Sequence, residues 1–250
     1  MFKFLAQEYV SQYGFLNLFN FITFRVGASI LTSLFFSLIF GQFIINKLSK
    51  IQPNGQPIRN DGPQTHIIQK AGTPTMGGVL IILSVFSSSV LWSDLYNSFV
   101  WIGLLALISF GLIGIIDDYK KIKSNSSNGL KTIARIILQI VFSLIISLVI
   151  LKMLDDQIDT TISFPFFKNL IINFGYFYLL ISLFILVGSA NAVNLTDGLD
   201  GLAIVPVMIV AMTFAFIAYV SGNVVFSEYL LINYIPGTGE LSVLCGALIG

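Results

Sequence analysis

Three short segments of this sequence concentrate the residue types that handle phosphates and divalent cations. Asp117 and Asp118 are adjacent carboxylates closing an apolar run, where they meet the negative end of a helix macrodipole and need a cation nearby. Two answers are open. Asp117 can pair with Lys121 four residues on, with both acids simply solvated at a membrane edge. Alternatively, the pair can help hold Mg²⁺ or accept a proton, because oxygen ligands suit Mg²⁺ and phosphoryl transfer depends on charge neutralisation.

The second segment, Asn191-Ala-Val-Asn-Leu-Thr-Asp-Gly-Leu-Asp-Gly201, places Asn191, Asn194, Asp197 and Asp200 at every third position. Neighbouring members are close on a helix, but each step drifts by about 60°, so Asn191 and Asp200 cannot share a straight helical face. The ladder therefore predicts a break, which Gly198 and Gly201 can supply. An ordinary turn with capping residues is the plainer alternative, although four amide or acid side chains exceed what one cap needs. The sequon Asn194-Leu-Thr196 is discounted on a cytoplasmic loop.

Lys70-Ala-Gly-Thr-Pro-Thr-Met-Gly-Gly78 joins a basic residue to a turn that opens a helix, so its N–H groups can favour an anion. Its plainer reading is a loop-to-helix junction with Pro74 at the start and glycines permitting close helix packing. It lacks the order of a P-loop, and neither a HExxH pattern nor a Gly-x-Ser-x-Gly elbow occurs. His66, the lone histidine, reads as a solvated loop residue, leaving little basis for a Ser-His-Asp triad.

The elements that must position these segments are membrane helices. The chain is 56% apolar and 10% charged, with mean hydropathy +0.89, whereas soluble domains carry about 25% charged residues. Apolar runs predict an all-α, polytopic transmembrane bundle with spans near 22–46, 75–92, 98–116, 132–151, 172–190 and 199–220. The run 241–250 reads as the start of a seventh helix. A single integral-membrane domain, 1–250, incomplete at its C-terminus, is expected.

Nine of the thirteen basic residues flank the connections after spans one and three, which makes those connections cytoplasmic and puts the N-terminus outside. All three chemical segments then share the cytoplasmic side. Arg25, near the outer end of span one, is expected to snorkel to the interface. The N-terminal twenty residues lack the parts of a signal peptide and read as an interfacial segment or a loosely packed periplasmic helix. Cys245 reads as a packing residue, and the basic residues form no stripe for nucleic acid.

Together with Gly114-Ile-Ile-Asp-Asp-Tyr119, Asn54-Gly-Gln-Pro-Ile-Arg59 and Val187-Gly-Ser-Ala190, these segments resemble, in order, the phospho-N-acetylmuramoyl-pentapeptide transferase family of polyprenyl-phosphate N-acetylhexosamine-1-phosphate transferases. The resemblance implies an inner-membrane enzyme in which undecaprenyl phosphate attacks UDP-N-acetylmuramoyl-pentapeptide with Mg²⁺, releasing UMP in peptidoglycan synthesis; it leaves room for a homodimer. Asp117 and Asp118 then resemble the acidic pair at the reacting phosphates, Asp117 as base or charge organiser. Asn194 resembles the Mg²⁺ ligand, Lys70 and Asp200 contacts to the nucleotide end, and Thr75 and Asp197 nearby substrate-pocket residues.

Two departures qualify the resemblance. The family continues for several more helices, with a Gly-Asp-Thr-Gly segment that carries another Mg²⁺-binding Asp and a His-rich loop, so this chain alone is expected to be inactive. Arg135 stands where the family has a Lys, keeping the charge but not the ammonium geometry. A non-catalytic nucleotide-sugar-binding remnant and a transferase using UDP-N-acetylglucosamine are the alternatives. A transporter is disfavoured because the acids sit at span ends.

Overall fold

In hydrocarbon every backbone N–H and C=O must be satisfied within its own segment, so apolar runs of spanning length become helices. The computed structural model describes residues 1–53, 55, 72–124, 129–153, 160–163, 171–197 and 201–250. Lys70, Asp200, His66, Gly198 and most of the 54–59 segment lie outside the described residues.

In chain order the helices are α1 (Phe2–Tyr9), α2 (Ile22–Ile51), α3 (Gly78–Trp92), α4 (Ser98–Ser124), α5 (Thr132–Met153), α6 (Phe177–Thr196), α7 (Ile204–Ser221), α8 (Val224–Leu230) and α9 (Leu241–Ile249). Helices α2, α4, α5, α6 and α7 are long and apolar enough to cross a membrane. With 15 residues, α3 rises only about 22 Å against roughly 30 Å of hydrocarbon. It starts at Gly78, three residues later than the apolar run suggests, because Met76 holds a left-handed φ of +74° that no α-helix can contain.

Two further elements go beyond the sequence reading. Thr161–Ser163 and Ile171–Asn173, β1 and β2, pair antiparallel with Ile162 opposite Ile172, so the span expected from 172 starts instead at Phe177. The short helix α8 begins with Asn223, whose side chain accepts hydrogen bonds from the N–H groups of Val225 and Phe226.

Helix α9 occupies the centre, against α2, α3 and α7, while α4, α5 and α6 follow outward in a row. Small residues let α9 and α3 approach α2 closely, as in membrane bundles generally. Ser29 Oγ donates to the Val243 carbonyl at 2.9 Å, and Ser88 Oγ donates to the Ser29 carbonyl at 2.8 Å. Val100, Leu104 and Leu244 form the apolar core between α4 and α9.

Arg25 corrects the expectation that it snorkels. It is 1% exposed and forks onto Glu240, both terminal guanidinium nitrogens donating to the carboxylate at 2.6 Å, while Nη1 also donates to the Trp92 carbonyl. Glu240 accepts the Asp94 N–H at 2.9 Å, and Lys3 bonds Asp94 at 2.6 Å. The N-terminal segment is thereby tied to the end of α3, where Phe2 and Phe19 also pack on Trp92.

Burial raises the Asp94 carboxyl, but the hydrogen bond from Lys3, the Tyr96 N–H and the charges of Lys3 and Arg25 more than offset this and hold it below its ordinary value. A carboxyl lowered on folding contributes stability above its unfolded pKa, and loses it as pH falls through the lower folded value. Acidification below the ordinary carboxylate range should therefore release α1 from Trp92. An acid transition in Trp fluorescence checks this, and Asp94→Asn should abolish it.

Candidate functional site

The polar end of the bundle opposite Arg25 collects the C-terminal ends of α2, α4 and α6 and the N-terminal ends of α3 and α5. Here Asp117 and Asp118 receive the cation their position demands. Lys121 Nζ lies 2.6 Å from Asp117 Oδ2 and 3.0 Å from Asp118 Oδ1, bridging both acids. The local ion pair read from sequence is therefore present, and more is built around it.

Asp117 Oδ1 accepts the Leu130 N–H at 2.7 Å, so the backbone just before α5 adds a fixed donor to the same carboxylate. Gly129 lies against this carboxylate so closely that a Cβ there would overlap its oxygens. Gly129→Ala should displace Asp117 from Leu130 and destabilise the fold by about 1–3 kcal/mol. Thermal melting in detergent reports the loss, and an unchanged melting temperature would refute the close approach.

Asp118 faces the other way. Its Oδ2 accepts from Thr75 Oγ1 at 2.8 Å, and Thr75 is held by Gln52, which accepts the Thr75 N–H at 2.9 Å. The left-handed Met76 separates Thr75 from α3 and costs roughly 1–3 kcal/mol, a strain of the kind stored at functional sites. The buried Gln52 was not legible in the sequence, since one Gln at the end of an apolar helix gives no pattern.

Beside Asp117 a cavity of about 490 Å³ opens between α4, α5 and α6, within the ~300–1,000 Å³ range of small-ligand sites. Asp117, Arg135, Gln139, Ser189 and Asn194 supply its polar lining; Ala106, Phe110 and Leu186 are among the apolar groups. Arg135 Nε is buried and finds no hydrogen-bond acceptor among the described residues. Arg135 and Gln139 were not among the expected site residues, although their i,i+4 spacing puts them on one face of α5.

The break predicted in the Asn/Asp ladder falls at Asp197. Helix α6 runs to Thr196, and Asp197 caps it outside helical geometry. Asn194 therefore reaches the cavity from the last turn, while Asp197 is exposed and does not line it. Asn191 turns toward α5, its amide donating to Gln139 Oε1 and to the Val187 carbonyl, each at 2.8 Å.

No cluster of three His, Cys, Asp or Glu that could cage a metal occurs among the described residues. The oxygen donors Asp117 and Asn194, which line one cavity, nonetheless fit Mg²⁺, which proteins commonly hold by one or two carboxylates together with substrate phosphates.

Residues 100–249 match the family model described as glycosyl transferase family 4, and residues 70–82 match signature 1 of phospho-N-acetylmuramoyl-pentapeptide-transferase. The phospho-N-acetylmuramoyl-pentapeptide-transferase of Pelagibacter ubique is 51% identical over 246 residues, covering 98% of this chain and 68% of the relative. Those of Rickettsia akari and Rickettsia felis are each 51% identical over 234 residues, covering 94% of this chain and 64% of the relative. The chain thus spans about two thirds of the length of these curated relatives.

Helices of spanning length and the family match define a membrane-embedded transferase. Within that class, the chain belongs to the phospho-N-acetylmuramoyl-pentapeptide transferase family.

Proposed function

We propose that this end of the bundle is where a polyprenyl phosphate, undecaprenyl phosphate, meets UDP-N-acetylmuramoyl-pentapeptide at the cytoplasmic face of a bacterial inner membrane. A lipid-phosphate oxygen attacks the sugar-bearing phosphorus. Its bond to the bridging oxygen breaks, UMP leaves with that oxygen, and the lipid-linked sugar diphosphate of peptidoglycan synthesis forms. The observation that carries this reading is the amphipathic cavity: Arg135 Nε, without an acceptor among the described residues, and the Asp117 and Asn194 oxygens in a lining otherwise rich in apolar groups. Such a lining suits a phosphate whose tail continues into lipid.

Arg135 and Lys121 supply positive charge to reacting phosphates, and Arg135 offers the fixed fork that suits phosphate oxygens. A phosphate monoester has a second pKa near ~6, so its attacking oxygen is largely deprotonated at neutral pH. Asp117, already accepting from Leu130 and Lys121, is a weak base, which favours organising charge over abstracting a proton. Mg²⁺, bound by Asp117, Asn194 and phosphate oxygens, would neutralise the charge that develops on transfer. Lys70 and Asp200 are proposed to contact the nucleotide, and Thr75 and the exposed Asp197 to belong to the substrate pocket.

Calorimetry and turnover assays with UDP-N-acetylmuramoyl-pentapeptide and UDP-N-acetylglucosamine test the proposal. The muramoyl nucleotide should bind and, with undecaprenyl phosphate and Mg²⁺, release UMP from the complete enzyme. Binding without turnover would favour a nucleotide-sugar-binding protein, and preference for the glucosamine nucleotide would move the reading to a relative.

A further inference from the structure

Helix α6 carries Asn194, yet it has no buried residue of its own and packs chiefly on α5. A helix so thinly held can roll about its axis, and a roll would carry Asn194 out of the cavity. Polar ties between described residues of α5 and α6 oppose this. Ser147 and Ser182 hydroxyls lie 2.8 Å apart, and Asn191 donates to Gln139 at 2.8 Å, nearer the polar end.

The second tie is well placed to act on the site. Gln139 is buried and lines the cavity one helical turn from Arg135; Asn191 is one turn from Asn194. Both amide hydrogens of Asn191 are committed, one to its own helix at Val187 and one to Gln139, so its carboxamide is fixed in both position and orientation. A roll of α6 must break the bond from Asn191 to the buried Gln139, the member of the pair that crosses between the helices.

We propose that Gln139 is a positioning residue: through Asn191 it sets the rotation of α6 that keeps Asn194 facing Asp117 and Arg135. The proposal rests on reading Asn194 as an oxygen donor to the cation and phosphates of the cavity. Residues that orient ligands typically change metal affinity or activity by about 10–100-fold when lost.

The test uses the chain in lipid nanodiscs, with Cys245→Ser and spin labels at Ile133→Cys and Leu195→Cys, both outward-facing positions on α5 and α6. Pulsed-EPR distances should be narrowly distributed, broaden or shift in Gln139→Leu, and recover in Gln139→Glu, which keeps the acceptor oxygen. Mn²⁺ titration of the unlabelled protein should show roughly tenfold weaker binding in Gln139→Leu. Unchanged distances in Gln139→Leu would overturn the positioning role whatever the Mn²⁺ result. Altered distances with undiminished Mn²⁺ binding would overturn its importance to the site. Should the unsubstituted chain bind no Mn²⁺, altered distances still support the tie, and it is the reading of Asn194 as a metal ligand that fails.

Discussion

In the complete enzyme, Asp117→Asn should reduce formation of the lipid-linked product by at least about a hundredfold, the scale expected when a catalytic charge or base is removed. Asparagine keeps the shape and can still accept the Leu130 N–H, so the fold around α4 and α5 should survive. What it removes is the negative charge that Lys121 and Arg135 balance and that a cation would bind. Asp118→Asn should cost less, because Asp118 is turned to Thr75 and Lys121 and does not line the cavity. Initial rates of UMP release decide the order. Retention of a third of the activity in Asp117→Asn would remove this carboxylate from the chemistry, and equal losses in both variants would argue that the pair acts only as a unit. A pH–rate profile separates the roles: a charge organiser leaves an acidic limb set by the lipid phosphate, near its second ionisation.

The largest stability effect should come from the other end of the bundle. Glu240→Ala leaves the Arg25 guanidinium buried without its partner, a situation that typically costs about 3–5 kcal/mol. The double replacement Arg25→Met with Glu240→Leu removes both charges and should recover most of the loss, since apolar substitutes for buried ion pairs are often neutral or stabilising. Thermal melting in detergent compares the three proteins. A Glu240→Ala protein as stable as the parent would mean that water reaches Arg25, contrary to its burial. A double variant no better than the single would mean that Trp92 and Asp94, which also bond this pair, depend on its charges.

These two sites differ in how far the sequence disclosed them. The acidic pair is local: Asp117 and Asp118 end an apolar run, Lys121 follows at helical spacing, and the spacing alone announces an ion pair. The helices were legible for the same reason, since unbroken apolar runs have no other stable form in a bilayer. Arg25 and Glu240 are 215 residues apart, and nothing in either neighbourhood points to the other; only the central placement of α9 brings them together.

Between these extremes lie residues whose type was visible and whose use was not. Gln52 closes an apolar helix and Gln139 stands inside one, and their roles depend on which segment faces them. The late start of α3 depends on a single left-handed residue, Met76, that no propensity would single out. Asn191 and Asn194 were read together as one polar ladder. Packing divides them, giving one to the Gln139 tie and the other to the cavity.

The central claim is that the cavity between α4, α5 and α6 receives the phosphate end of a polyprenyl carrier beside Asp117. Photo-crosslinking with an undecaprenyl phosphate bearing a diazirine near its phosphate tests this without requiring turnover. Labelling at the cavity lining, around Ile113, Leu186 and Val193, with loss of label under competing undecaprenyl phosphate and in Arg135→Ala, is the expected result. Labelling that instead falls near Arg25 and Glu240, or that Arg135→Ala leaves untouched, would contradict the account.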